Sequence, residues 1–395
     1  MVRRAGYPPA ATMRAAPVPM KIAIVTEYYY PLLGGITEHV HNTALRLRAR
    51  GHSVTIITSN VGDNRMPPGE ALAPATDVIR IGRSIAVHSN RSVAHATLGL
   101  HLWRDLRRVF LREQFDIAHL HSPLVPTLPA LSVLASSCRS LGTFHTYFER
   151  NRVYAAFGHM LQRLFLDKLD GRSFVSQSCI VALERYFRLR DSRVIPNGID
   201  TTMFSPSVPC LEAFDDRKRT LLFLGRFDRR NGLGLMLQAF ALVRRSRPDV
   251  RLIVVGGGKD RPLFEQSVPG DLRPDVHFVG PVLASRPRYY ATCDVFCSPI
   301  DTASFGVTLL EAMASGKPVV ATDNVGYRDL LSPDEGILVP PGDAIAFAQA
   351  ITALLDDDER RRELGANGVR KAARYDWDHV VDQTLGLYRE IVSRP

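Results

Sequence analysis

Apolar residues along this chain recur in one repeated order: a short unbroken apolar run, a glycine-containing turn, then apolar positions at helical spacing. Residues 21–26 (KIAIVT) form the first run, and Val40, Ala44 and Leu47 follow at intervals of four and three with Gly51 placed to end a helix. The segment HSVTIITS then reads as a second strand. Strand, glycine loop, helix and strand open a doubly wound α/β sheet. Residues 60–95 are polar and rich in Pro and Gly, with short strands expected only near 78–81. Residues 100–115 (LHLWRDLRRVFLREQF) are amphipathic: Leu102, Leu106, Val109 and Phe110 on one face, Arg104, Arg107, Arg108 and Arg112 on the other.

The alternation continues with a strand over 116–121, a helix over 122–137, and a strand over 140–144 that delivers His145-Thr146 to its C-terminal edge. Helices over 153–170 and 178–188 flank the strand SFVSQ. RVIPNGID closes the first half, and 201–219 reads as a linker. The pattern then restarts: strands at TLLFLGRF, VRLIVVGGG, HFVGPV and DVFCSPI alternate with helices over 232–246, 260–267 and 285–293. A helix over 307–314, a strand over 317–322, helices over 343–356 and 358–373, and a last helix from 378 to about 392 complete the second half. Two doubly wound α/β domains are therefore expected. The divisions are a tail (1–19), a first domain (20–200), the linker (201–219), a second domain (220–374) and a final segment (375–395).

Composition narrows the possibilities. At 395 residues the chain is long enough for two cores, and its 45% apolar and 23% charged content is ordinary for a globular protein. No run approaches the ~20 apolar residues of a membrane helix. Residues 1–19 carry Arg3, Arg4 and Arg14 without a long apolar core behind them, so they read as a disordered tail or as sequence ahead of a start at Met20. Five cysteines form no CxxC pair, which fits buried free thiols in a reducing cytosol. The net charge of +10 points to an anionic partner: a nucleotide, an acidic lipid surface or a nucleic acid. The positive charge is dispersed and matches no nucleic-acid module, which disfavours the last. The basic face of 100–115 suits an anionic membrane, or is simply a solvated helix face.

Candidate chemistry gathers at two glycine turns. Gly34-Gly35 precedes the first helix, and Ser304-Phe305-Gly306 precedes the helix over 307–314. The first amides of a helix lack intrahelical partners and face a positive dipole end, so each turn suits a phosphate. Glu311 lies more than one turn inside the second helix, where it could accept two ribose hydroxyls. His119 and His121 share one side of their strand, with no further metal ligands evident.

SFGVTLLEAMASGKPVVAT resembles the donor-binding signature of the retaining family 4 glycosyltransferases, which have the GT-B fold. GGITEHV, FHT (144–146), PNGID (196–200), FLGRF (223–227), VVGGG (254–258) and RYDW carry the same resemblance over nearly all of 20–393. GGITEHV, HLHSP, FHT, GRFD and RYDW are most similar to the phosphatidylinositol mannosyltransferases. The resemblance implies two Rossmann-like domains facing across a cleft, an acceptor-binding first domain, a nucleotide-sugar-binding second domain, and a C-terminal helix crossing back to the first. It implies transfer of a mannose- or glucose-type hexose from a GDP- or UDP-sugar, with retention and no metal or other cofactor. The acceptor would be a hydroxyl of phosphatidylinositol, of another lipid, or of a soluble or polysaccharide sugar. The enzyme would be cytoplasmic, or peripheral on the inner face of the membrane.

Carried onto this chain, the resemblance makes His145 and Arg226 catalytic, with Arg226 also clamping the diphosphate. Gly35, Asn231, Phe305, Gly306, Val307 and Glu311 would bind the donor, and Thr37 and Thr146 the acceptor. Two positions depart from the family. Its usual Lys is Asn231 here, with Arg229 and Arg230 beside it. The first of its two Glu residues is Ala303. These departures keep open a GT-B protein that binds a nucleotide without catalysis.

Overall fold

The computed structural model describes residues 18–62, 77–89, 92–125 and 127–395. Most of the expected N-terminal tail, residues 1–17, and residues 63–76 and 90–91 of the polar stretch after residue 60 lie outside the described residues. The first half contains β1 (Lys21–Val25), α1 (Gly35–Ala49), β2 (Ser53–Asn60), β3 (Asp77–Ser89), β4 (Ser92–Leu98), α2 (Leu102–Glu113), β5 (Ile117–His121), α3 (Leu128–Ala135), β6 (Arg139–Phe144), α4 (Arg152–Leu164), β7 (Gly171–Phe174), α5 (Gln177–Glu184) and β8 (Ser192–Val194). The second half contains β9 (Arg219–Leu224), α6 (Leu233–Ser246), β10 (Val250–Val255), α7 (Arg261–Ser267), β11 (Val276–Gly280), α8 (Arg286–Thr292), β12 (Val295–Ser298), α9 (Val307–Ala314), β13 (Val319–Thr322), α10 (Val325–Arg328), β14 (Gly336–Val339), α11 (Ala344–Asp356), α12 (Asp358–Ala372) and α13 (Trp377–Val392).

Each half builds one sheet. The first is eight-stranded in the order β4-β3-β2-β1-β5-β6-β7-β8; the second is six-stranded in the order β11-β10-β9-β12-β13-β14. The strand pairs are parallel except β3 with β4. Both sheets reverse their winding beside their first strand, between β1 and β5 and between β9 and β12. Ligands of doubly wound sheets gather at the carboxyl ends of the strands at such a reversal.

The unbroken apolar runs exist because both sheet faces are covered. Ile22 and Ile24 of β1 pack with Val40, Ala44 and Leu47 of α1. Ala23 and Val25, facing the other way, share a core with Leu106, Val109 and Phe110 of α2 and Leu128 and Val133 of α3. Tyr154 of α4 packs on Phe148, Tyr186 and Phe187.

The C-terminal crossing is present. Ile199 N–H donates to Tyr375 O at 2.8 Å and Trp377 N–H donates to Ile199 O at 3.1 Å. A Cβ on Gly198 would stand 2.4 Å from the Trp377 ring, so only glycine fits there. The PNGID and RYDW motifs are thus two halves of one contact. Beyond it, α13 lays Val380, Val381, Leu385, Tyr388 and Ile391 into the α1 side of the first domain's core.

Three expectations need correction. The region around 78–81 is not a short strand: β3 and β4 form a long antiparallel hairpin at the sheet edge. An edge strand with one face in solvent alternates polar and apolar residues, and that masks it in a composition-based reading. The helix expected over 122–137 spans only α3, with Pro129 in its first turn, where a missing N–H costs nothing. Of the cysteines, Cys179, Cys293 and Cys297 are buried and Cys138 half-buried, but Cys210 is exposed. No helix among the described residues is long and apolar enough to cross a membrane.

Candidate active site between the two domains

The two glycine turns meet. A Cβ at Gly35, the first residue of α1, would lie 3.8 Å from Val307 Cγ2, at the first residue of α9. The starts of both helices lack a side-chain cap. Two positive helix ends therefore converge from opposite domains, an arrangement suited to a diphosphate. Gly306 makes the second end possible: its φ of 117° is a left-handed conformation, and a Cβ there would stand 2.9 Å from the Tyr327 ring. Phe305 is buried with its ring edge-on to Tyr375 at 5.9 Å, which holds the turn from the other side.

Residues 145–147 follow the carboxyl end of β6 and dock on the same turn. Tyr147 N–H donates to Ser304 Oγ at 2.9 Å, and Ser176 Oγ donates to Ser304 O at 2.6 Å. Thr146 is exposed beside them. His145 belongs to a cluster with His39, His121 and His119, whose neighbouring rings lie 4.3–5.1 Å apart along the chain of contacts. His121 Nδ1 and His145 Nε2 are 2.8 Å apart. Nε2 of His121 is buried without a partner. An unpaired buried N–H is costlier than an unpaired acceptor here, so the favoured tautomer has His121 Nδ1–H donating to His145 Nε2. That leaves His145 Nδ1–H as a donor. His39 is held by Asn197 Oδ1 at 2.9 Å, and His119 Nδ1 meets the Tyr388 hydroxyl at 2.6 Å.

Burial keeps this cluster uncharged. It lowers the pKa of His39 from 6.5 to about 4 and that of His119 to about 3; His121 and His145 are also pushed well down. These folded values lie below the unfolded one. Between them the unfolded chain binds more protons, so the stability is complete above pH 6.5 and is lost as pH falls toward 4 and 3. For His39 the shift corresponds to roughly 3 kcal/mol. Thermal unfolding midpoints should therefore fall between pH 7 and pH 4.5. His39→Gln, which does not titrate, should flatten that fall; an unchanged slope would show that the cluster does not set it.

Arg226 follows β9 at the carboxyl edge of the second sheet. Its side chain is 56% exposed, and Nη2 lies 3.6 Å from Asp228 Oδ2. After burial, its charge is the next influence lowering the pKa of His95 on β4. Asn231 is engaged within its own turn. Its amide donates to Arg226 O at 3.0 Å and Asp228 Oδ1 at 2.8 Å, closing its own turn. Arg230 is the neighbour that reaches the α9 turn, with Nε donating to Thr302 O at 3.1 Å. Thr37 is 1% exposed and donates to Leu32 O at 2.7 Å, so its hydroxyl supports the Gly34-Gly35 loop.

Glu311 is placed at the cleft with Gly35, Glu38, His39, Asn197, Val307 and Trp377 around a cavity of about 50 Å³. Its carboxylate is already engaged by Arg286 and Tyr290. Sequence reading missed this partner set because Glu38 and Arg286 are 248 positions apart. It also missed Glu27 at the end of β1, buried among Thr97, Thr127 and the Leu128 N–H. Burial raises the Glu27 pKa while those donors oppose the shift. Through these three hydrogen bonds Glu27 pins β4 and the start of α3 to the end of β1.

Comparisons with known proteins identify the family and the fold. Residues 33–203 match the model of Glycosyltransferase Family 4, and residues 218–357 that of Glycosyl transferases group 1. The chain is 32% identical to a phosphatidyl-myo-inositol mannosyltransferase of Mycolicibacterium smegmatis, over 94% of each chain. It is 33% identical to the Mycobacterium leprae protein of the same name, over 95% of this chain and 98% of that one. A D-inositol 3-phosphate glycosyltransferase of Corynebacterium urealyticum is 26% identical, over 95% of this chain and 97% of that one. Among solved structures, a sucrose-phosphate synthase from Thermosynechococcus elongatus superposes with a TM-score of 0.74 at 23% identity, covering 94% of this chain and 99% of that one. An Anabaena protein solved with UDP and glucose superposes with a TM-score of 0.73 at 18% identity, with the same coverage.

Proposed function

Because the chain belongs to the family 4 and group 1 glycosyltransferases, with their GT-B fold, we propose that it moves a mannose from a nucleoside diphosphate sugar to a hydroxyl of phosphatidylinositol or a related membrane lipid. The convergence of two uncapped helix starts, at Gly35 and Val307, carries this reading. The bond from the sugar's anomeric carbon to the diphosphate breaks, and the acceptor hydroxyl oxygen bonds that carbon on the same face. The hydroxyl proton leaves on the departing phosphate. Negative charge grows on the diphosphate and positive charge on the sugar, so fixed cations and amides aimed at the diphosphate lower the barrier. Arg226, Arg230 and the amides of 305–307 supply them without calling on a metal. His145 donates to the sugar near its reacting carbon, and Glu311 takes the ribose. Thr146 remains the candidate acceptor contact; Thr37 acts through the loop it supports.

The lipid acceptor is favoured by two helices of the first domain. On α2, Trp103 and Leu111 are exposed among Arg104, Arg107, Arg108 and Arg112, with Arg107 stacked on Trp103 at 5.6 Å. On α4, Val153, Phe157, Met160 and Leu164 form an exposed stripe at spacings of four, three and four, beside Arg152 and Arg163 and without an acid on the helix. Exposed apolar residues bordered by arginines suit an anionic bilayer surface, which supports a peripheral membrane enzyme in this reading.

The test is transfer from GDP-mannose to phosphatidylinositol in vesicles, read as mannolipid formed and GDP released. Replacing Arg104, Arg108 and Arg112 by Glu should abolish vesicle binding and leave donor binding intact. Equal vesicle binding would remove the lipid surface from the reading. Donor bound and recovered intact, with every hexose tried, would favour the nucleotide-binding alternative.

A further inference from the structure

Glu311 does not enter the cleft alone. Its residue is 2% exposed. Its Oε1 lies 3.1 Å from Arg286 Nη2, and its Oε2 accepts from the Tyr290 hydroxyl at 2.7 Å. The same guanidinium crosses to the first domain, donating from Nη1 and Nη2 to the two Glu38 oxygens at 2.8 Å each. The Phe204 ring lies against it at 5.4 Å. One buried cation thus serves two carboxylates from opposite domains. An ionised carboxylate offers about four acceptor sites. Arg286 and Tyr290 occupy one on each Glu311 oxygen, which leaves one on each for a pair of neighbouring hydroxyls. Burial and the nearby Glu38 charge push the Glu311 carboxyl up, and the Arg286 charge and the Tyr290 hydrogen bond limit that rise, so the ionised, accepting form depends on Arg286.

We propose that Arg286 is a positioning residue: it aims Glu311 at the donor's ribose and, through Glu38, ties that contact to the start of α1. Glu38 stands three residues after Gly35, where the diphosphate is read. Ribose recognition and approach of the first domain to the phosphates are then one event. The inference rests on Glu311 as the ribose-binding residue, a role proposed above, and adds a partner that neither family motif contains.

The experiment compares KM for GDP-mannose with KM for its 2′,3′-dideoxyribose form, in the parent and in Arg286→Met. Loss of two hydroxyls that donate to a carboxylate should raise the parent's KM about 100-fold. With Glu311 no longer aimed, that ratio should shrink by about 10-fold in Arg286→Met, because the two contacts are coupled. An equal ratio in parent and variant overturns the role of Arg286 and leaves Glu311 as the ribose residue. A parent that does not distinguish the two donors overturns both. Arg286→Lys, which keeps the charge but loses the two-pronged reach, is the second variant where Arg286→Met does not fold. It should give an intermediate ratio, and a parent-like ratio there would equally overturn the proposal.

Discussion

Arg226→Ala should lower turnover about 100- to 1000-fold, the usual consequence of removing one preorganised charge partner from a developing anion. The effect should reach that range because the neighbouring family lysine is Asn231, whose amide is spent on Arg226 O and Asp228 Oδ1. Arg230 cannot simply move across, since its Nε is held by Thr302 O. The guanidinium can grip two phosphate oxygens at once, so Arg226→Lys should recover only part of the rate. Steady-state kinetics with saturating donor decides this. Near-parent turnover in Arg226→Ala would remove Arg226 from the catalytic centre.

His145→Ala should lower turnover about 100-fold and change the donor's KM much less, since its donor N–H acts on the sugar as charge develops there. The structural basis is the relay from His121, which fixes the tautomer that leaves Nδ1–H available. His145→Asn carries an amide donor at a similar distance and should retain more rate than His145→Ala. Equal and small losses in both would assign His145 to packing within the cluster rather than to the reaction.

Much of this architecture was legible because both domains bury their strands on two faces. Runs such as VRLIVV, all six residues of which are buried, need no partner to be recognised. Local devices were legible too. Gly306 before an uncapped helix reads as a phosphate turn because the constraint lies within a few residues. What stayed hidden was non-local. The long β3–β4 hairpin alternates polar with apolar residues and so hides within a polar stretch. The Glu38–Arg286–Glu311 group joins three segments that no spacing relates. Asn231 looked like a vacant lysine position, and only its two hydrogen bonds show that it closes a turn.

The contact of Gly198 with Trp377 also has a bearing on biosynthesis. Until residues 377–392 are made, the α1 side of the first sheet has no α13 to cover Ile22, Ile24 and Ile117. The half of the protein that leaves the ribosome first is therefore the half completed last. Once Trp377 is seated, the second domain is held by two chain crossings rather than one, so its rotation has an axis instead of a swivel.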